Sequence, residues 1–363
     1  MNEESKQSFS EMLDELFNNE QVPVHLLFHL SDMMPEDETH FWTVWPDVDD
    51  ERRREITGHL VDLSEDNFTV DFTPIFERGL ADSLAAVRVL ALEGLWDATD
   101  VRLIAPVLRI MQADEDVEAR AAAARALAHF VLLAEWGQVP QRPVEPVIAA
   151  LLAVYEDEET AVPVKRAALE ALGAANHPRV NALIEEAYED DDPGMQLSAI
   201  FAMGNTADPR WLPTILEEMG NTDPAVRAEA AQAAGALGRS DAIPLLAELT
   251  QDEDDDVREA AIVALGQVGG DQAQSLLNEM LEDDEFEELH ELIQESLESL
   301  LLMGGDLDLL SFRENDGPGY NDDEDYGFDD EVFGDDDFDD EDFDDEDFDD
   351  FGEVDLDDED FLD

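Results

Sequence analysis

Two histidines near the start of the chain have the spacing of a metal-ligand pair. His25 and His29 are four residues apart, so a helix over residues 23–32 would place both imidazoles on one face, where they could bind a transition metal. A protein zinc site uses at least three protein ligands. No His-Glu-x-x-His pattern accompanies the pair and no third ligand is identified. We therefore interpret both residues as core or surface histidines and predict no metal site.

A second candidate for metal chemistry lies close to the C-terminus, where residues 347–358 have the length of a calcium-binding loop. Gly352 stands at the sixth position, where such a loop turns sharply, and Val354 stands at the eighth. However, Phe351 occupies a ligand position, and Asp358 replaces the glutamate that closes the loop. We expect no more than loose, unselective binding of divalent cations there.

Patterns typical of catalysis are missing from the sequence. The chain has no Cys, which excludes thiolate nucleophiles, disulfides and cysteine-bound zinc. It also has no phosphate-binding loop of the Walker type and no Gly-x-Ser-x-Gly motif. Paired carboxylates occur throughout, so they single out no position. The sequence therefore predicts no catalytic residue and no cofactor, and we expect a protein that is not an enzyme.

The charge balance excludes further classes of function. The chain has 96 Asp and Glu against 19 Lys and Arg, a net charge of −77. Nucleic acids and anionic membranes are bound through clustered Lys and Arg, so we expect no nucleic acid and no membrane as a partner. A charged partner should be a basic protein. The sequence has no signal-peptide pattern and no long apolar run, and a cytoplasmic location is expected.

The elements that would position any site repeat every 31 residues. Four copies begin at Val164, Met195, Val226 and Val257, and two earlier ones begin at Val87 and Ala119. An alanine follows four residues after each of the later starts, at Ala168, Ala199, Ala230 and Ala261. A glycine follows nine residues after, at Gly173, Gly204, Gly235 and Gly266. A fixed period of this length indicates stacked units rather than one globular core.

Each unit reads as two helices. Asp223 and Pro224 have the residue types of an N-cap and a first helical position, and Gly238 is a suitable stop. The repeated alanine is explained by packing, because stacked helices approach closely only where side chains are small. The sequence predicts an all-α solenoid of about seven helix pairs over residues 71–313. We expect a helical capping region at residues 1–70, with Phe41, Trp42 and Trp45 as core anchors, and a disordered acidic tail at residues 314–363.

A basic residue follows five of the six repeat starts. These residues are Arg88, Arg120, Lys165, Arg227 and Arg258. With the stretches 223–238 and 254–266, they resemble the short HEAT-like repeats of the phycobilisome bilin lyase type. The resemblance covers about residues 71–303. It implies that the basic residues are structural and pair with acidic groups of their own or the neighbouring unit. Some HEAT-like proteins are di-iron hydroxylases with several His-Glu pairs, whereas this chain has only His290-Glu291.

The tail combines acidity with evenly spaced aromatic residues. Of residues 321–363, 27 are acidic and none is basic, so the segment is expected to be disordered. Its phenylalanines recur every five residues, at Phe328, Phe333, Phe338, Phe343 and Phe348. This spacing places them on no single face of a helix or strand. Either the tail only keeps the protein soluble, or each Phe is an anchor in an acidic segment that contacts basic partners.

The sequence as a whole favours a non-catalytic scaffold or adaptor that mediates protein–protein interaction. An enzyme-associated subunit similar to bilin lyases is one alternative, and it rests on the repeat resemblance. A chaperone or charge mimic for basic proteins is another, and it rests on the tail. The identity of the partner and the face of the solenoid that binds it are not encoded in any pattern that we can identify.

Overall fold

A computed structural model describes residues 8–303, except Asp32 and Phe68. The whole predicted tail therefore lies outside the described residues, together with the loop at 347–358 and the five regularly spaced phenylalanines. Within the described part the chain forms eighteen α-helices, joined by short turns, and no strand.

The chain begins with four helices: α1 (Phe9–Asn18), α2 (Val24–Leu27), α3 (Pro35–Val44) and α4 (Asp50–Asp66). Phe41 and Trp45 are buried and their rings stack 5.0 Å apart. Trp42 is half-buried, with its ring centroid 5.0 Å from that of Phe41. These three residues thus anchor the N-terminal core, because large aromatic side chains bury the most apolar surface.

Fourteen helices follow as seven pairs. Their bounds are α5 (Thr73–Gly79), α6 (Ala85–Glu93), α7 (Ile104–Ala113), α8 (Val117–Glu135), α9 (Glu145–Glu156), α10 (Val162–Gly173), α11 (Val180–Tyr188), α12 (Pro193–Asn205), α13 (Leu212–Glu218), α14 (Pro224–Leu237), α15 (Ile243–Leu249), α16 (Asp255–Val268), α17 (Gly270–Leu281) and α18 (His290–Met303). Each odd-numbered helix packs on the helix that follows it. Each even-numbered helix also packs on the next even-numbered one, from α4 to α18. We call α4 and these even-numbered helices the stacking layer. The predicted all-α solenoid of about seven pairs is confirmed.

The stacking helices begin and end as their sequences predict. The side chain of Asp223 accepts a hydrogen bond from the Ala225 amide, and Asp192 caps α12 in the same way through the Met195 amide. These bonds satisfy amides that have no partner inside the helix. Gly238 ends α14 with a φ of 64°, in the left-handed region that favours glycine.

Small residues let the stacking helices approach one another closely. The repeated alanines are all fully buried: Ala168, Ala199, Ala230 and Ala261. The repeated glycines face the next stacking helix, and a Cβ placed on Gly204 would lie 2.7 Å from the Cα of Ala233. The same contact recurs between Gly173 and Ala202, and between Gly235 and Ala264. The four-residue and nine-residue positions of the repeat therefore form the helix-to-helix contacts.

Two of the repeated arginines fix their stacking helix to the loop before the next one. Arg227 donates two hydrogen bonds to Asp252, at 2.8 and 2.7 Å, and Arg88 donates two to Asp114, at 2.7 and 2.5 Å. The bonds from Arg227 hold the pKa of Asp252 below its usual range. Asp252 also accepts the Asp254 amide, so that one carboxylate shapes the loop and receives the arginine.

The other two arginines of the repeat make hydrogen bonds within their own helix pair. Arg258 donates to the backbone carbonyl of Asp252 at 2.9 Å and pairs with Asp255, while Arg120 donates to the Met111 carbonyl at 3.0 Å. The side-chain ammonium of Lys165 makes no hydrogen bond or ion pair within the described part of the chain. A structural role for the four arginines therefore agrees with their contacts, whereas Lys165 shows no such contact.

Candidate functional site

Two adjoining cavities run along the open side of the stacking layer. The larger, of about 600 Å³, lies over α12, α14, α16 and α18, and the smaller, of about 300 Å³, lies over α8, α10 and α12. Phe201 and Asn205 of α12 line both cavities. We call the two cavities together the groove. It crosses six successive stacking helices, which suits an elongated ligand better than a compact one.

The floor of the groove is apolar because the stacking helices are rich in alanine. The apolar residues that line the larger cavity are Phe201, Ala228, Ala233, Ala236, Ala260, Val263 and Leu292. Phe201 is 39% exposed, although a phenylalanine on a helix normally turns into a core. An exposed aromatic side chain over an apolar floor is typical of a surface that a partner covers.

Polar side chains form the walls of the larger cavity. Asn205, Gln232 and Gln267 contribute amides, and Asp256 and Glu259 contribute carboxylates. All five are exposed. Within the described part of the chain, none of these side-chain groups makes a hydrogen bond or an ion pair. Five polar groups are therefore available to a ligand along one side of the stacking layer.

The smaller cavity is lined by different ionisable groups from those of the larger cavity. It is lined by Arg125 and His129 of α8 and by Glu170 of α10. Arg125 pairs with Glu118 at 2.6 Å. Burial lowers the pKa of His129, whose Nε2 atom is buried and has no hydrogen-bond partner within the described residues. The groove thus has unpaired carboxylates at its α16 end, and a paired arginine and a histidine of lowered pKa at its α8 end.

A half-buried polar cluster joins α10 to α12 beside the groove. Arg166 of α10 donates to the hydroxyl of Ser198 on α12 at 2.9 Å, and that hydroxyl donates to Glu170 at 2.6 Å. Glu229 of α14 lies close to this cluster. Burial, helped by the negative charge of Glu170 and opposed by Arg166, raises the pKa of Glu229 to about 7.

The residues considered for metal binding do not come together. His25 and His29 are exposed, and the segment between them is a short helix followed by a 3-10 turn rather than one continuous α-helix. His290 is the first residue of α18. Within the described ranges no group of three or more histidines and carboxylates is arranged to hold a metal ion.

The groove residues were not singled out by the sequence. The repeat pattern selects positions that have the same residue in every copy, and those positions are buried. Phe201 lies six residues after its repeat start, where the neighbouring copies have Glu170, Gln232 and Val263. Its signal was a large aromatic residue at a position that differs in each of the four copies.

The comparisons with known proteins agree with the helical repeat. Residues 212–298 match the family model for HEAT repeats. No curated protein matches the sequence. In the described part of the chain, no helix combines the length and the apolar character that crossing a membrane requires.

Similar solved structures include the X-ray structure of YibA from Escherichia coli, with 15% identity, a TM-score of 0.36, and 74% of this chain and 98% of that chain covered. Human deoxyhypusine hydroxylase in complex with glycerol has 18% identity and a TM-score of 0.32, with 77% of this chain and 95% of that chain covered. An engineered protein has 18% identity and a TM-score of 0.33, with 54% and 96% covered. The family match confirms the resemblance to HEAT repeats over residues 212–298, and the bilin-lyase type of the repeat stays a prediction.

Proposed function

We propose that this protein is a non-catalytic scaffold that binds another protein in the groove. The observation that carries this proposal is Phe201, which stands exposed between two cavities with an apolar floor. Covering the exposed 39% of this side chain contributes on the order of 1 kcal/mol to binding. Since the groove extends over six stacking helices, a polypeptide segment can contact several helix pairs at once.

The partner that we propose is basic, and the association takes place in the cytoplasm. The net charge of −77 attracts basic proteins and repels nucleic acids. The tail phenylalanines form a second contact in this proposal. Each ring enters an apolar niche of the partner while neighbouring Asp and Glu meet its Lys or Arg. Binding through the tail weakens steeply with added salt.

The charge of the tail also favours a second candidate, a chaperone or charge mimic for basic proteins. In that case the tail alone holds the client and the groove is not used. Replacing the five phenylalanines by serine leaves the net charge unchanged and separates their contribution from that of the acidic residues. The residues replaced are Phe328, Phe333, Phe338, Phe343 and Phe348.

Site-specific photocrosslinking tests the use of the groove. A photoreactive phenylalanine analogue at position 201 is compared with the same analogue at position 28, because Phe28 is exposed to a similar extent, 42%, but lies outside the groove. We expect a discrete protein adduct from position 201 and none from position 28. The Phe201→Ser variant is expected to lose that partner and to keep its unfolding temperature. Equal crosslinking from both positions, or full partner binding by Phe201→Ser, would refute the proposal.

A further inference from the structure

We infer that the larger cavity selects an extended segment of the partner in which a Lys or Arg lies next to an apolar residue. This inference rests on the proposed function, since it names the chemistry of the segment that the groove binds. Three features of the cavity carry it: unpaired carboxylates, free amide side chains and an apolar seat beside Phe201.

The first feature is a pair of carboxylates without a cation. Asp256 and Glu259 line the cavity, are exposed, and have no basic partner within the described part of the chain. The nearby arginines of the repeat are engaged elsewhere, because Arg227 is bound to Asp252 and Arg258 to Asp255. A positively charged side chain that enters the cavity therefore meets two carboxylates that no internal cation neutralises.

The second feature is the set of amides contributed by Asn205, Gln232 and Gln267. An amide side chain offers both a donor and an acceptor, which matches the N–H and C=O of a peptide group. A helical partner has already satisfied its own backbone groups, whereas an extended partner still has them free. The amides thus favour an extended segment.

The third feature is the polarity of the groove along its length. Phe201, Val263 and Leu292 provide an apolar seat, with the carboxylates on α16 next to it. At the other end, Glu170 accepts a hydrogen bond from Ser198 and Arg125 is paired with Glu118, so the smaller cavity offers a cation no unpaired carboxylate. The register is therefore fixed: the apolar side chain contacts Phe201, and the basic side chain points toward α16.

A peptide-binding experiment with the full chain tests this inference. The probe is a fluorescent peptide of about twelve residues, roughly 40 Å when extended, with a central leucine flanked by lysines in a glycine-serine background. Three control peptides replace the leucine by serine, the lysines by glutamates, or both. Fluorescence anisotropy is measured at about 150 mM salt, where long-range attraction to the acidic chain is largely screened.

The variants are matched for charge. Asp256→Asn with Glu259→Gln removes the two groove carboxylates, and Glu217→Gln with Glu248→Gln removes two exposed carboxylates from α13 and α15. We expect the groove variant to weaken binding of the lysine-leucine peptide about fivefold or more, and the control variant less than twofold. We also expect the leucine-to-serine peptide to bind about tenfold more weakly to the wild-type chain.

Each outcome separates this inference from the proposed function. Equal weakening by the two charge variants would mean that the acidic surface attracts the peptide without selection, and the inference would be wrong. If neither variant weakens binding but Phe201→Ser still abolishes partner crosslinking, the groove binds a segment of different chemistry, so the inference fails while the proposed function stands. Tighter binding of the glutamate peptide would also overturn the inference.

Discussion

Replacing glycine by alanine is expected to raise the stability of the protein at Gly58 and to lower it at Gly204. Gly58 lies in the middle of α4, and a Cβ placed there would have no atom within 4 Å. Gly58→Ala therefore gains only the helix preference of alanine over glycine, about 0.5–1 kcal/mol. Gly204 of α12 faces Ala233, where the same methyl group would lie 2.7 Å from the Cα and 2.9 Å from the carbonyl oxygen.

The size of the effect at Gly204 follows from these distances. Carbon atoms pack best at about 3.5–4.0 Å, so α12 and α14 would have to separate by about 1 Å. Overpacking of this kind costs about 1–3 kcal/mol. Gly204 is also the second-to-last residue of its helix, where the gain from helix preference is smallest. We expect Gly204→Ala to lose about 1 kcal/mol or more, so the two variants differ by about 2 kcal/mol.

Urea denaturation followed by far-ultraviolet circular dichroism measures this difference. The midpoint of unfolding is expected to rise for Gly58→Ala and to fall for Gly204→Ala, while the slope of the transition stays the same for both. A steeper or shallower slope would show that the denatured state had changed instead. If Gly204→Ala stabilises the protein as much as Gly58→Ala does, the close approach of the stacking helices is not needed for stability.

Three further substitutions, with Arg179→Gln as a control for one of them, each test a single feature by the same denaturation assay. The pKa of Glu229 is raised from 4.5 to about 7, so the folded state holds an extra proton and loses stability as pH rises between these values. The loss between pH 4 and pH 8 corresponds to about 3 kcal/mol, and Glu229→Gln is expected to remove it. Arg227→Gln is expected to cost about 1–2 kcal/mol at pH 7, and less in acid once Asp252 is protonated. Arg179→Gln, which removes exposed ion pairs, is expected to shift the unfolding midpoint less. Ala207 has a φ of 53°, so Ala207→Gly is expected to stabilise the protein by about 0.5–1 kcal/mol. An unchanged unfolding midpoint for any of the three would contradict its stated cause.

The sequence predicts the helical array because its signals are local. Asp223 and Gly238 cap a helix through bonds to residues within the same unit. The repeated alanines and glycines contact the same positions of the next unit, so a fixed spacing is sufficient to identify them. Such features can be recognised without knowing how the helices are arranged in space.

The parts that the sequence did not predict depend on that arrangement. Arg53 of α4 is 4% exposed and pairs with Asp82 at 2.5 Å, a contact like that of Arg88 with Asp114. Its signal was an aspartate four residues earlier, Asp49, as before Arg120, Arg227 and Arg258. The spacing between Arg53 and the next repeat is irregular, so the fixed period of 31 residues did not identify Arg53.

The groove and its half-buried cluster were hidden for the same reason. Phe201, Ser198 and Glu229 occupy positions that differ from one unit to the next. Whether each is exposed, hydrogen-bonded or shifted in pKa depends on side chains that α10, α12 and α14 bring together from different units. Ser198 and Glu229 stand at the same place in successive units, 31 residues apart, so the period locates this position but not the residue type that fills it.

The stacking layer has a consequence for how the molecule comes apart. The extensive contacts between described helices join helices no more than two places apart in the chain. Unfolding can therefore start at one end and advance pair by pair, since losing a terminal pair removes only one interface. Amide hydrogen exchange would then be slowest in the central helices and progressively faster toward both ends, and a ligand lying across several pairs would slow exchange along its entire length.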